Sequence, residues 1–338
     1  IRSLYRMKSR TKLLEWMTAE EGENKTKNDL KTYIKNMQIN LTRQTMANWI
    51  ICASNLIKPI YEHMHKNLLE SKILHADETT LEVLEEPNRK PQAKSYMWVY
   101  TTGKSEENNM VLYEYQIGRS GTYAKNFLKG FSGYLHCDGW SGYDKVEEVK
   151  RVGCWAHARR YFKEAMDVQP DKNDYSTIAG QGFLLIEKIF SSEHNVTDKE
   201  KIKAIRQTTG RNILENFFSY CEQSNTLPKT LTGKAILYAL NQKENLMRYL
   251  EDENLEMTNN KAERSIKPFV IGRKNWLFCN TPSGATASAR LYSVIETAKA
   301  NNLKIYDYLV WLFENIHILT VGELLPWSNK IPDNIRKI

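Results

Sequence analysis

One change of period constrains this chain more than any other feature. Before residue 72 the apolar residues recur, where they show a pattern, at helical spacing. From Lys72 to Trp155 they gather into short runs rich in β-branched and aromatic residues. Lys72–His75, Ser95–Thr102 and Met110–Ile117 are separated by turn-rich stretches at Glu86-Pro87-Asn88 and Glu107-Asn108-Asn109, so they read as three consecutive strands. A short helix at Tyr123–Leu128, a strand at Gly133–Cys137 and a fifth strand within Val149–Trp155 follow, leading into a helix over Ala156–Met166. Three strands, a helix and two further strands is the order of a mixed α/β sheet flanked by helices.

The remainder fits around that sheet. Residues 167–250 show helical patterning throughout, as an insertion would. Strands return only weakly, at Phe269–Ile271 and Trp276–Phe278, before a long amphipathic helix whose face is set by Leu291, Val294, Ile295 and Ala298. Residues 1–40 are polar and lysine-rich. A better helix starts after Thr42, a natural N-cap, and runs through Trp49, Ile50, Ala53, Leu56 and Ile57, with Pro59 placed to kink it. The division is then an N-terminal helical region (1–70), a first core segment (71–166), the helical insertion (167–250) and a closing core segment with C-terminal helices (251–338).

Lys and Arg total 48 against 40 Asp and Glu, a net charge of +8, which favours a polyanionic partner such as nucleic acid. No stretch approaches the roughly 18 uninterrupted apolar residues of a membrane span. Cys52, Cys137, Cys154, Cys221 and Cys279 are scattered and form no C-x-x-C pair, which argues against a disulfide framework and for a reducing, cytoplasmic setting. A nucleotide-binding P-loop and a nucleophile-elbow serine are both missing.

Two aspartates stand at matching ends of expected strands: Asp77 after the first, in Leu74-His75-Ala76-Asp77, and Asp138 after the fourth, in Leu135-His136-Cys137-Asp138. Asp often simply begins a turn. Carboxylates converging from separate strands instead suit phosphodiester chemistry, in which two Mg²⁺ about 4 Å apart are held by hard oxygen ligands. Spacing does not choose the third carboxylate between Glu263, at the start of a basic helix, and Glu296, on the later amphipathic one.

His75-Ala76-Asp77-Glu78-Thr79, Asp138-Gly139-Trp140-Ser141-Gly142-Tyr143, Cys154-Trp155-Ala156-His157-Ala158-Arg159-Arg160 and Asn259-Asn260-Lys261-Ala262-Glu263-Arg264 occur in that order. Gly272-Arg273-Lys274-Asn275-Trp276-Leu277-Phe278, Ile295-Glu296-Thr297-Ala298-Lys299 and Glu323-Leu324-Leu325-Pro326-Trp327 follow. With these stretches the chain resembles the transposases of the insertion-sequence 66 family, enzymes of the DDE class with a ribonuclease-H-like core. The resemblance implies a ribonuclease-H-like sheet with a helical insertion before the last catalytic carboxylate. It matches Asp77, Asp138 and Glu263, not Glu296, to the catalytic and metal-binding trio. It further implies Mg²⁺ as cofactor (two ions, with Mn²⁺ able to substitute) and transposon-end and target DNA as partners. A homo-oligomer on the DNA and accessory proteins of the same element belong to the same expectation. The cysteine pattern of the family's N-terminal zinc module does not occur here, and residues 1–25 do not look like the family. A truncated copy that binds DNA without cutting it is therefore the alternative reading.

Other residues carry paired readings. Arg264, Lys267, Arg273 and Lys274 either grip phosphates or form a solvated helix face. Trp276 either stacks on an unpaired base or belongs to the core. Cys154 and His157 are spaced like half a zinc site that His136-Cys137 would complete, but the usual paired spacing is lacking. His157, Arg159 and Arg160 instead read as helix residues near the cleft, contacting phosphate or serving the structure. Leu41 to Trp49 looks like the turn and recognition helix of a helix-turn-helix, with Arg43, Gln44 and Asn48 facing bases, or else like an amphipathic scaffold helix.

Overall fold

The structure is a computed structural model that describes residues 42–337. The lysine-rich stretch before Thr42 lies outside the described residues, as does any first helix of a helix-turn-helix. Helix α1 (Arg43–Leu56) is capped by Thr42, whose hydroxyl accepts from the Thr45 amide. Pro59 does more than kink it. The chain breaks at Ile57, and the proline lies in the first turn of α2 (Lys58–Leu69), where no intrahelical N–H is needed.

The expected order then appears as β1 (Ile73–Glu82), β2 (Lys94–Thr102), β3 (Val111–Gln116), α3 (Gly121–Phe127), β4 (Tyr134–His136), β5 (Lys150–Val152) and α4 (Trp155–Asp167). The sheet order is β3-β2-β1-β4-β5. Its first three strands are antiparallel neighbours, whereas β4 runs parallel to β1 and β5 parallel to β4. This mixed sheet flanked by helices is ribonuclease-H-like. The insertion follows as α5 (Ile178–Ser192), α6 (Lys199–Ile205), α7 (Arg211–Gln223), α8 (Leu231–Asn241) and α9 (Lys243–Met247). The chain closes with α10 (Asn260–Trp276), α11 (Pro282–Ala300) and α12 (Ile305–Asn315). No described helix is long and apolar enough to cross a membrane.

Two expectations are corrected here. The weak strands at Phe269–Ile271 and Trp276–Phe278 do not form, because the first lies inside α10 and Trp276 ends that helix. Ala262, Ile266 and Phe269 recur at helical spacing and are all buried, and burying Phe269 alone is worth about 1.5–3 kcal/mol. That face outweighs the cost of Pro268 inside the helix. Leu277, at a φ of 67°, turns the chain out of α10, and Cys279 then bridges in parallel to Val83 just past β1. Strand β1 also runs further than expected, continuing well beyond Asp77 to Glu82.

Alternation along β1 sorts its side chains between two faces. Leu74 and Ala76 enter one cluster with Trp98, Tyr100 and Leu135, covered by Met64 of α2, Val294 of α11 and Leu309 of α12. The opposite face carries two clusters. Ile73 packs with Trp155 and Phe162 of α4 and with the inserted helices, while Leu81 and Val99 pack beneath Ile266 and Phe269 of α10. Between these clusters lies a seam bounded by α4 and α10. Helix α11 sits instead on the β3 edge, where the Val111 and Tyr113 amides donate to Thr297 Oγ1 at 3.0 Å and Ser293 Oγ at 2.7 Å. Pairing these outward amides protects the edge from other strands.

Candidate active site

Asp77 lies in the seam, at the point where β4 ends. The β1–β4 ladder closes at His75 opposite His136. Two residues further along each chain stand Asp77 and Asp138, on the face shared with those histidines. The aspartates are thus matched by the end of β4 rather than by the end of β1. Glu263 comes from the first turn of α10. Asp138 and Glu263, on two other elements, both act on the Asp77 carboxyl by charge.

Their mutual field is legible in Asp77. Burial pushes its carboxyl up to about 7; the charges of Glu78, Asp138 and Glu263 add to this, and the Glu78 amide, donating at 2.8 Å, opposes it. Asp138 is more open; its Oδ1 accepts from the Trp140 amide at 2.9 Å, and its Oδ2 is 3.6 Å from the Arg119 guanidinium. Arg119 also pairs with the buried Glu78 at 2.5 Å and lies over the Trp140 ring. Glu296 belongs elsewhere: it sits on α11, against the far strand β3, and its carboxylate meets Lys299 at 2.9 Å.

Asn259 holds this geometry together. It precedes α10 yet makes no capping bond to it. Its Nδ2 donates to the Ala76 carbonyl at 2.8 Å, and its backbone amide donates to the Cys154 sulfur at 3.2 Å. Because Nδ2 is the donor, Oδ1 must accept, so His75, 3.1 Å away, carries its proton on Nδ1. One fully buried side chain and its amide thus tie β1, the start of α4 and the start of α10 together. Across the seam, His157 Nε2 of α4 is 3.7 Å from Glu263 Oε1. Burial, aided by the positive charge of Arg160, holds His157 below the usual imidazole range, while Glu263 and Asp138 oppose that shift.

The basic residues fall into two groups. Arg264, Lys267 and Lys274 are exposed along the outer side of α10, in line with Glu263. Arg273 turns inward, donating to Thr79 Oγ1 at 2.9 Å and to the Thr80 carbonyl. Beyond His75 that side of β1 no longer has β4 beside it, and the guanidinium meets a backbone group left open there. On α4, Arg159 pairs with Glu187 and Arg160 lies 3.8 Å from Glu164. Trp276 is half-buried and packs edge-on against Phe269, their centroids 5.3 Å apart. Arg43, Gln44 and Asn48 are exposed on α1, with Gln44 donating to Asn48 at 2.9 Å. Helix α1 itself packs against α11.

Arg119 does not stand out from the sequence, and Asn259 enters it only as the first residue of the stretch Asn259–Arg264. Asn before a helix reads as an ordinary cap, and Arg119 sits in a turn-like Gly-Arg-Ser with no period to place it. The zinc half-site does not find its expected complement. His136 is fully buried and stacks on His75 at 4.6 Å, and Glu263, not His136 or Cys137, is what Cys154 and His157 approach.

The profile of the transposase IS66 family matches residues 28–287. Uncharacterized protein y4qI of Sinorhizobium fredii is 28% identical over 322 residues, covering 88% of this chain and 58% of its own length. Uncharacterized protein y4hP of the same organism is 25% identical over 320 residues, covering 86% of this chain and 57% of its own. The chain therefore spans less than two thirds of the length of these curated relatives. With the family profile matched over most of its length, the chain belongs to the transposase IS66 family.

Proposed function

We propose that this chain carries the catalytic centre of a DNA transposase, with Asp77, Asp138 and Glu263 holding divalent metal at the site of cutting. The observation that carries this reading is the placement of carboxylates from β1, the end of β4 and α10 within reach of one another's charge, which adds to the burial that raises the proton affinity of Asp77. All three offer hard oxygen donors, and the carboxylates crowded around Asp77 leave negative charge for a cation to relieve. That donor set fits Mg²⁺, with Mn²⁺ as a substitute. Bound there, Mg²⁺ would supply Lewis-acid polarisation of the phosphodiester and a water that is nucleophilic near neutral pH.

The reaction is hydrolysis at the transposon end, leaving a 3′-hydroxyl, followed by attack of that hydroxyl on a target phosphodiester, without a covalent enzyme intermediate. In both steps the rigid placement of Asp77 and Glu263, whose elements Asn259 ties together, fixes where the reacting phosphate must sit. Arg119 keeps positive charge beside Asp138, and the exposed side of α10 presents Arg264, Lys267 and Lys274 to the flanking backbone. Incubation with DNA carrying the element's ends tests the reading: strand cleavage is expected with Mg²⁺ and none with a chelator. Binding without any cleavage under Mg²⁺ would instead favour the inactive DNA-binding copy.

The basic face has its own signature. Neutralising Lys267 and Lys274 together is expected to weaken DNA binding and to reduce the slope of log affinity against log salt by about 2, roughly one unit for each phosphate no longer neutralised. Arg273→Gln is expected to leave that slope unchanged, because its guanidinium is engaged by β1. Fluorescence anisotropy over a salt series separates the two.

A further inference from the structure

We propose that Cys154, His157 and Glu263 form a site for a thiophilic divalent cation such as Zn²⁺, and that a cation held there competes with the carboxylate trio for Glu263. The candidate ligand atoms of these three residues all lie within 4.8 Å of one another. Two rigid elements hold them: Cys154 and His157 occupy the N-cap position and first turn of α4, and Glu263 occupies the first turn of α10. The Asn259 amide already donates to the Cys154 sulfur at 3.2 Å, the outer hydrogen bond that orients a metal-bound thiolate. His157 Nδ1 is buried and has no hydrogen-bond partner among the described residues.

Sulfur, imidazole nitrogen and carboxylate oxygen make a donor set that selects zinc-like cations. Mg²⁺ requires near-octahedral oxygen coordination and does not compete for a thiolate. Binding converts the thiol to a metal-bound thiolate and releases one proton to solvent. Three protein ligands leave a fourth tetrahedral position for water or a phosphate oxygen. Because Glu263 belongs to both sites, the two metals compete for its carboxylate. That consequence rests on the function proposed above; the cation site itself does not.

Co²⁺ is the probe, since thiolate ligation gives it an intense near-ultraviolet charge-transfer band. The full chain titrated with Co²⁺ alone is expected to develop that band together with the visible bands of tetrahedral cobalt, and Zn²⁺ is expected to displace both. Cys154→Ser should abolish the band, whereas Cys52→Ser should keep it. His157→Gln, at a partly exposed position, should weaken Co²⁺ binding by more than about 100-fold, the upper end of what losing even an outer-shell partner costs. This variant serves equally if Cys154→Ser does not fold. A wild-type chain without the band, or a band that survives Cys154→Ser, overturns the site. Mg²⁺-dependent cleavage without the band would remove this site and leave the trio standing. The band without any cleavage would do the reverse.

Discussion

Asp77→Asn, Asp138→Asn and Glu263→Gln are each expected to slow strand cleavage by about a thousandfold or more, equivalent to about 4 kcal/mol of barrier. Each removes one charged oxygen donor while keeping size and hydrogen-bonding capacity close to the original. DNA affinity is expected to stay close to that of the wild type, because the proposed backbone contacts lie on the exposed side of α10. Single-turnover cleavage measured beside anisotropy reads both quantities. A variant that cuts at the wild-type rate with Mg²⁺ would remove its residue from the centre. Glu296→Gln is the matched control, since Glu296 pairs with Lys299 on α11, and it is expected to cut normally.

Asp77→Asn should also stabilise the metal-free chain, increasingly as the pH rises. The carboxyl is pushed up to about 7 by burial and by neighbouring carboxylates. Below an ordinary aspartate pKa the group is protonated in both folded and unfolded states and contributes nothing. Between there and about 7 the unfolded chain gives up the proton while the folded chain retains it, so wild-type stability falls relative to the variant. Above that range the difference is constant. At 1.36 kcal/mol per pKa unit it reaches at most about 4 kcal/mol. His75 and His136, buried and held well below the usual imidazole range, act in the opposite direction, losing stability as the pH falls. The difference between variant and wild type is therefore the informative quantity, and it should emerge from urea midpoints at about pH 4 and pH 8. Equal stability at both pH values would show that Asp77 is not strained by its surroundings.

Much of the fold is legible in the sequence because its strands are rich in β-branched and aromatic residues and bounded by turns, although β1 runs to Glu82, well past the expected His75. The period change at residue 72 and the long run of inserted helices appear where expected, and the short helix expected at Tyr123–Leu128 forms at Gly121–Phe127. The α10 helix is hidden: Pro268 and the aromatic runs around it suggest strands, and only the sheet beneath Ile266 and Phe269 reveals the helical face. For the proposed site, strand-end logic picks out Asp77 and Asp138, although the matching end belongs to β4. Glu263 is chosen only by resemblance, because its position depends on where α10 docks. Asn259 determines that docking through bonds to residues more than a hundred positions away, and no local pattern encodes such contacts. Arg273 reads as a phosphate grip until β1 is seen to outrun β4 and leave a carbonyl to be satisfied.

If Asp77, Asp138 and Glu263 share a divalent cation, Mn²⁺ titration of the full chain, followed through the paramagnetic resonance of the free ion, will show it. Binding is expected to strengthen between about pH 6 and pH 8 as Asp77 gives up its proton, and to fall sharply in Asp77→Asn, Asp138→Asn and Glu263→Gln. Mn²⁺ bound equally well by the wild type and all three variants would contradict it.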